Sequence, residues 1–429
     1  MKIFCYDEFN PQDIAMMQAL YSRSAESVKK HAEKVQASGS GKFMEQFYVG
    51  YGHASIADCG STTVFLEGVS TLVTKAFQAH PLYSGQETSS RYIDMSKQEI
   101  KNPLGSKAGQ EILDKWMEFY INSQEQVRAH IKTKYPRQAN EDETLYEKAV
   151  KARSFDILRG FLPVGITTQF SWHTNLRQAH DALDLLLVHP FPEVRQAAEQ
   201  TLKILQNKYP QSFSHKENSA ATQYREQQMK KYAFYFNPTA KNFSCKTNIK
   251  SSDLTSYKNL LKSRPERVGL PQFLADLGSL TFEFLLDFGS FRDIQRHRNG
   301  VCQMPLITSK FGFNQWYLSE LPPNVRVEAE KLIKEQIKAI NKLKTTTELK
   351  QYYFAMGFNC SCKVTYGLPA SVYVAELRSG RSVHPSLRQV AHQMSRAISK
   401  KFPLVKLYSD FSLDDWDIRR GGQDIVRKK

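Results

Sequence analysis

Two stretches of this chain are near copies of each other. VHPFPEVRQAAEQTLKILQNKYP (188–210) and VHPSLRQVAHQMSRAISKKFP (383–403) both open on His-Pro, continue through Arg-Gln-x-Ala and stop at a proline. Proline near the first turn and again beyond the last fits the start and stop chemistry of a helix, so each stretch predicts one. A second pair, VFLEGVSTLVTKAFQAH (64–80) and LTFEFLLDFGSFRDIQRH (280–297), is apolar and ends on histidine, with Phe65 and Phe282 each fifteen residues before it. A third correspondence is read between LRGFLPVG (158–165) and VTYGLPASV (364–372). An internal repeat changes the meaning of every motif inside it, because each must be read twice. Equivalent histidines stand 217 residues apart in the second pair and 195 in the first, so the second copy is shorter through its middle.

A chain of 429 residues exceeds the usual size of a single core, and the duplication divides it. The polar stretch SHKENSAATQYREQQ has the composition of a linker or a solvated helix, which gives a first copy over 1–214, a linker over 215–228 and a second copy over 229–429. Asn10 and Pro11 predict the cap and first turn of one long helix running through VKKHAEKVQ. STTVFLEGV is rich in β-branched and aromatic residues and reads as a strand or a buried turn into the next helix. Strands and long helices mix without regular βαβ alternation, and no G-x-G-x-x-G follows a strand. The fold class is α+β, each copy a mixed sheet packed with long helices, and a dinucleotide-binding α/β domain is not supported.

Apolar residues make up 41% of the chain and aromatic ones 12%, enough for two cores. No apolar run reaches the roughly 18 residues of a membrane span, and acidic residues enter the N-terminus too early for a signal peptide. These features predict a soluble, cytoplasmic protein without a membrane partner. Cysteines at 5, 59, 245, 302, 360 and 362 have no disulfide-framework spacing, and Cys360-Ser361-Cys362 without a second pair is a weak metal signal; no metal site is assigned. The net charge of +16 points to an anionic partner, either nucleic acid or phosphate-bearing small molecules. In KLIKEQIKAINKLKTTTELK, Leu332, Ile333, Ile337, Ile340 and Leu343 fall at helical spacing, so its lysines read as a solvated face rather than a grip on nucleic acid.

In HPLYSGQETSSRYIDM (80–95), Ser84, Glu87, Ser89 and Arg91 follow a histidine at short offsets, on a segment where Gly85 permits close backbone approach to a ligand. Hydroxyls, free amides and an arginine fork suit a phosphate monoester; a polar loop satisfying its own backbone is the alternative. Arg296-His297-Arg298, at the end of an apolar helix, suits a pyrophosphate or an electron-rich flavin edge, or else a solvated basic helix end.

Together these segments resemble two diverged copies of the RHRxxSxNExSxR signature of the flavin-dependent thymidylate synthase (ThyX) family. The first copy reads Ala79-His80-Pro81 followed by Ser84, Gln86, Glu87, Ser89 and Arg91, and keeps the second half of the signature. The second reads Arg296-His297-Arg298 followed by Val301, Gln303, Met304, Leu306 and Thr308, and keeps the first half. YGHASIAD, with His53 and Ser55, is similar to the family's Gly-His-x-Ser segment. RGFLPVGITTQFSWHTNLR is similar to its Arg-x-x-Leu-Pro element leading to Asn-x-Arg, giving Arg159, Asn175 and Arg177. A late arginine of the family stands ten residues before the arginine of the following helix. Arg378 has that place before Arg388, whereas the first copy has Leu185 or Leu186 there, and the second copy has Gly367 and Pro369 in place of the Asn-x-Arg element.

The resemblance implies two tandem ThyX-like domains and reductive methylation of dUMP to dTMP, with FAD as cofactor and methylenetetrahydrofolate and NADPH as co-substrates. It implies Arg378 as the catalytic residue. Glu87, Ser89, Arg91, Arg159 and Arg296 would bind substrate, and Ser55, Arg296, His297, Arg298, Asn175 and Arg177 the flavin. Family sites are shared between subunits of a homotetramer. This chain keeps one subunit's share in its first copy and the neighbour's in its second, which implies a homodimer acting as a pseudo-tetramer with a composite site. The rival readings are a flavin enzyme acting on another pyrimidine or on uridine in RNA, and a non-catalytic nucleotide-binding paralogue.

Overall fold

The computed structural model describes residues 9–22, 24, 26–50, 54–91, 93–215, 218–412 and 414–416. The fold is α+β in a two-domain arrangement. Contacts divide it into one unit of residues up to Val69, Ala76–Glu87 and Thr168–Ala233, and another of Ser70–Lys75, Thr88–Thr167 and the residues from Phe234 onward. The units therefore do not coincide with the two halves of the sequence, because 88–167 packs with the C-terminal half.

In the first unit, helix α1 (Pro11–Tyr21) starts where the Asn10 side chain accepts from the amides of Gln12 and Asp13. The single long helix expected here is instead two, since the chain breaks and α2 (Val28–Ser38) begins afresh with Ser27 as its cap. The serines cause the break by offering the backbone local partners: the Ser22 hydroxyl donates to the Ala19 carbonyl, and Ser24 accepts from the Glu26 amide. Met16, Met17, Ala32 and Val35 pack the two helices together. Strands β1 (Ser61–Ser70) and β2 (Thr167–Asn175) form a two-stranded sheet. Helices α3 (Leu176–Leu186), α4 (Pro192–Lys208) and α5 (Ser219–Tyr232) follow, and α5 buries none of its residues.

The second unit is built on an antiparallel sheet of order β3-β4-β6-β5, with β3 at Phe243–Thr247, β4 at Ser279–Asp287, β5 at Val301–Cys302 and β6 at Asn359–Gly367. β4 and β6 pair along their whole length, from Ser279 opposite Gly367 to Asp287 opposite Asn359. Leu280, Phe282, Phe284 and Leu286 alternate into the core, the period-two pattern of a strand. Cys360 and Cys362 are likewise buried on β6, where burial pushes both thiols up. Five labelled helices complete this half of the chain: α6 (Phe288–Ile294), α7 (Gln315–Ser319), α8 (Pro323–Lys342), α9 (Leu368–Ser379) and α10 (Pro385–Lys401). On α8, Ile333 and Ile340 face inward. The same unit takes in the N-terminal-half helices Lys107–Asn122, Gln124–Lys134 and Glu143–Leu158. Among the described residues no helix is long and apolar enough to cross a membrane.

The series of elements recurs. A single turn at Arg159–Phe161 leads to β2 and then α3; a single turn at Gln351–Tyr353 leads to β6 and then α9, each starting 192 residues later. The counterpart of LRGFLPVG is therefore KQYYFAMG (350–357), not VTYGLPASV, which instead lies at a strand-to-helix junction like that of Asn175. These counterparts also pair with each other. The amide of Val164 donates to Phe354 and that of Met356 to Leu162, both at 2.8 Å; that of Gly165 donates to Tyr352 at 3.0 Å and that of Gly357 to Gly160 at 2.7 Å. Exchanging each residue for its counterpart turns one bond of each pair into the other, which is the signature of a local two-fold axis. Glycine is required there: a Cβ on Gly357 would lie 2.3 Å from the Phe313 ring and 2.8 Å from the Gly160 carbonyl oxygen.

The repeated His-Pro also gains a physical reason. Imidazole Nδ1 accepts from the amide two residues onward in both places, His189 from Phe191 at 3.1 Å and His384 from Ser386 at 3.4 Å, at the start of α4 and α10. Both histidines are buried.

Candidate functional site

The second unit gathers arginines from both halves of the sequence. Helix α6 starts where the Asp287 carboxylate accepts from the Ser290 amide, and buries Phe288, Phe291 and Ile294. Its end delivers Arg296, His297 and Arg298 to the surface side, where the helix dipole favours cations. Arg292, inside α6, donates to the Ser90 hydroxyl at 3.1 Å and to the Thr88 carbonyl at 3.4 Å. The segment carrying Ser89 and Arg91 is thereby fixed to the helix that carries Arg296.

Arg91 is clamped. Its Nε donates to Oδ1 of the fully buried Asp156 at 2.5 Å and its Nη2 to Oδ2 at 3.2 Å, while both Nη groups reach the Ser382 carbonyl at 3.3 Å. The Ser89 hydroxyl accepts from the Arg91 amide at 3.3 Å. Arg378, in the last turn of α9, donates from Nε to His297 Nε2 at 2.8 Å and from Nη2 to the Asp293 carbonyl at 2.8 Å. The accepting Nε2 fixes His297 as a neutral imidazole protonated at Nδ1; burial, with help from Arg378, lowers its pKa to about 3. Burial also lowers the pKa of Arg378 itself.

One carboxylate ties these groups together. Asp293 lies 3.5 Å from Arg296 Nε, and its side chain is 18% exposed. Burial pushes its carboxyl up, but Arg378, Arg296, Arg91 and Arg159 act against burial and bring it down to about 2. Two of these four arginines come from each half of the sequence, and all act on a single charge.

Arg159 is more enclosed than the sequence implied. It is only 2% exposed, and it donates from Nη2 to the Ser290 hydroxyl at 2.9 Å and from Nε to the Tyr317 hydroxyl at 3.4 Å. Tyr317 donates to Asp287 at 2.8 Å, Ser386 donates to the other oxygen of Asp287, and His384 Nδ1 lies 2.8 Å from the Ser386 hydroxyl. Arg159 thus belongs to a closed polar network inside the protein. No open face of it is left for a phosphate.

The other expected residues lie in the first unit, apart from Ser89. Glu87 accepts from Gln78 Nε2 at 3.2 Å. Asn175 caps α3 by accepting from the Gln178 amide, and Arg177 forms a fork on Asp58 at 2.8 and 2.7 Å. Ser55 is exposed on the short helix Ala54–Asp58, and His53 lies outside the described residues. The segment from Ser84 to Glu87 turns its backbone to β2, not to a ligand. His173 and Ser171 donate to Ser84 and Gln86 at 2.8 Å, and a Cβ on Gly85 would fall 1.9 Å from the Ser171 carbonyl oxygen.

Asp156, Asp287, Asp293, Ser290 and Tyr317 were not singled out from the sequence. Two of them carry a readable signal. Asp156 stands three residues before Arg159 and Asp293 three before Arg296, the spacing at which an acid and an arginine share a helical face.

With this geometry in hand, three relatives and one family bear on identity. A UPF0159 protein of Chlamydia pneumoniae is 23% identical over 455 residues, covering 90% of this chain and 83% of its own. A UPF0159 protein of Thermoplasma acidophilum is 22% identical over 469 residues, covering 91% and 93%, and one of Chlamydia muridarum is 24% identical over 438 residues, covering 88% and 82%. Residues 5–211 match the family described as thymidylate synthase complementing protein (Thy1). Over that region the chain is similar to the thymidylate synthase complementing protein (Thy1 or ThyX) family, as a diverged relative would be.

Proposed function

We propose that the protein is a flavin-dependent thymidylate synthase that methylates dUMP, built from two fused copies of one domain that divide a single nucleotide site between them. The observation that carries this reading is that Arg296 and Arg378 bond Asp293 and that Arg91 and Arg159, from the other half of the sequence, add their fields to theirs at its carboxylate. Arg91 is paired with Asp156, so the positive excess beside Asp293 comes from Arg296 and Arg378, and it suits a phosphorylated pyrimidine.

The donor set fits a flavin on the C-terminal side. Arg296 is half exposed, Arg298 stands beside it with Nη1 on the Arg296 carbonyl, and Tyr373 and Leu377 of α9 are exposed apolar groups one helical turn apart. An apolar surface beside cations suits a planar, anion-bearing ring system. Arg296, His297 and Arg298 would hold FAD there. When bound, FAD supplies hydride, with methylenetetrahydrofolate as carbon donor and NADPH as reductant.

The chain's own part is positioning and charge. Arg378 is oriented by His297 and the Asp293 carbonyl, so its guanidinium is preorganised to stabilise negative charge developing on the pyrimidine ring. Arg91 is oriented by Asp156 and Ser382, and the Ser89 hydroxyl, which accepts from the Arg91 amide, keeps its own proton to donate to a phosphate oxygen. Arg159, held by Ser290 and Tyr317, contributes its field and not a direct contact. Glu87 supplies an acceptor for the nucleotide or the flavin. A homodimer, pseudo-tetrameric in its domains, is the assembly this reading implies.

A second reading has its own support. Asn175 and Arg177 are occupied within their own unit and Arg159 is enclosed, as in a non-catalytic nucleotide-binding paralogue. Release of tritium from deoxyuridylate labelled at C5 separates the two. The synthase releases it and copurifies with yellow flavin, and both Arg378→Ala and Arg91→Ala abolish turnover. Normal rates in either variant would show that the two halves do not share one site.

A further inference from the structure

A cleft of about 540 Å³ opens elsewhere in the second unit, between α7 and α10. Its floor is Leu285 of β4 and Asn359 of β6. One wall is a stripe of α10, Ser386, Gln389, Val390 and Gln393, at the three- and four-residue spacing of a single helical face. The opposite wall is α7, with Gln315, Trp316 and Ser319.

The lining is chemically uniform. Among the described residues six carboxamides converge on the cleft, no carboxylate or lysine does, and the one cation, Arg326, is paired with Glu330 at 2.9 Å. Two of the carboxamides brace the wall: Asn314 caps α7 through the Trp316 amide and donates to Asn359 at 3.0 Å, and Asn359 donates to the Phe311 carbonyl. Among the described residues the side chains of Asn242, Gln389 and Gln393, and the indole Nε1 of Trp316, have no hydrogen-bond partner. The Trp316 ring is held edge-on to His384 at 4.4 Å and to Tyr317 at 5.2 Å, so it stands as a rigid wall.

A carboxamide offers a donor and an acceptor side by side, which matches the edge of a heterocycle carrying the same pair, and an indole face accepts such a ring by stacking. A neutral lining adds nothing for a phosphate. We infer that this cleft is a binding site for an uncharged nitrogen heterocycle of nucleobase chemistry, separate from the arginine cluster around Asp293.

The test is saturation-transfer NMR and calorimetry on the full chain with adenosine, uridine, their 5′-monophosphates and glucose, up to about 10 mM. At least one nucleoside should bind, with an affinity unchanged between low and high salt, because among the described residues no free cation lines the site. Gln389→Ala and Gln393→Ala, both outside the fold's core, should each weaken binding about fivefold. Arg378→Ala should leave it unchanged. Three results would overturn the inference: no nucleoside binding, binding of glucose alone, or loss of nucleoside binding in Arg378→Ala while the glutamine variants bind normally.

Discussion

Replacing Asp293 by asparagine separates the electrostatic role of this carboxylate from its packing. The substitution keeps the shape of the side chain and removes the charge on which four arginines act. The carboxyl falls from an ordinary 3.8 to about 2 in the folded protein, a difference that stabilises the fold by about 2 kcal/mol at neutral pH. Because the folded value is the depressed one, this contribution is complete above the unfolded pKa and disappears as pH falls through the folded pKa. Near pH 3 about half of it should remain. Urea unfolding followed by circular dichroism should therefore show Asp293→Asn to be about 2 kcal/mol less stable at pH 7 and about 1 kcal/mol less stable near pH 3. Anion affinity should move the other way, since the variant removes the carboxylate that faces Arg296: inorganic phosphate should bind about fivefold more tightly at low salt. A stability loss of equal size at both pH values would mean that Asp293 acts through packing, and the charge argument would fail.

Other perturbations test separate parts of the structure. Breaking the buried Arg91–Asp156 pair with Asp156→Asn should cost about 3–5 kcal/mol in chemical denaturation, because it strands a guanidinium inside the protein. Gly357→Ala forces a methyl group into Phe313 and the Gly160 carbonyl and should lower stability by about 1–3 kcal/mol or more, whereas alanine at Gly269, where a Cβ meets nothing within 4 Å, should be close to neutral. His189 is buried, and desolvation followed by Arg195 lowers its pKa to about 3, so the unfolded chain binds a proton that the folded one does not. Stability should fall with falling pH between about 6.5 and 3, by about 1.4 kcal/mol per pH unit for this group, and His189→Asn, which keeps an acceptor for the Phe191 amide, should flatten that limb.

Much of this was legible in the sequence, and the failures have physical causes. The α4 and α10 boundaries follow from prolines, whose backbone effect is local and needs no context. β1 was legible from its β-branched run. The counterpart of Arg-Gly-Phe-Leu-Pro-Val-Gly was misplaced because Gln-Tyr-Tyr-Phe-Ala-Met-Gly keeps only its last glycine, while a Leu-Pro pair at the start of α9 imitates the lost one. Backbone geometry persists there where side chains do not. The break between α1 and α2 was missed because serine reads as a tolerable helix residue until its hydroxyl finds a competing partner. For the site, the arginines were visible as charges, but their partners were not. Asp156 meets an arginine from a distant segment, and no local spacing reports that Arg159 is closed in by Ser290 and Tyr317.

The reciprocal bonds of Leu162–Gly165 with Phe354–Gly357 have a consequence for how such a protein can change. In an assembly of identical subunits every mutation appears at all equivalent positions at once, so no subunit can surrender a residue that its neighbour still needs. Once the symmetric pair is encoded by one gene, the two sides drift apart freely: glutamine can stand where the other side has arginine, as at Gln351 and Arg159, without a penalty paid twice. The axis survives in the backbone as a record of sameness, and the side chains around it are free to specialise.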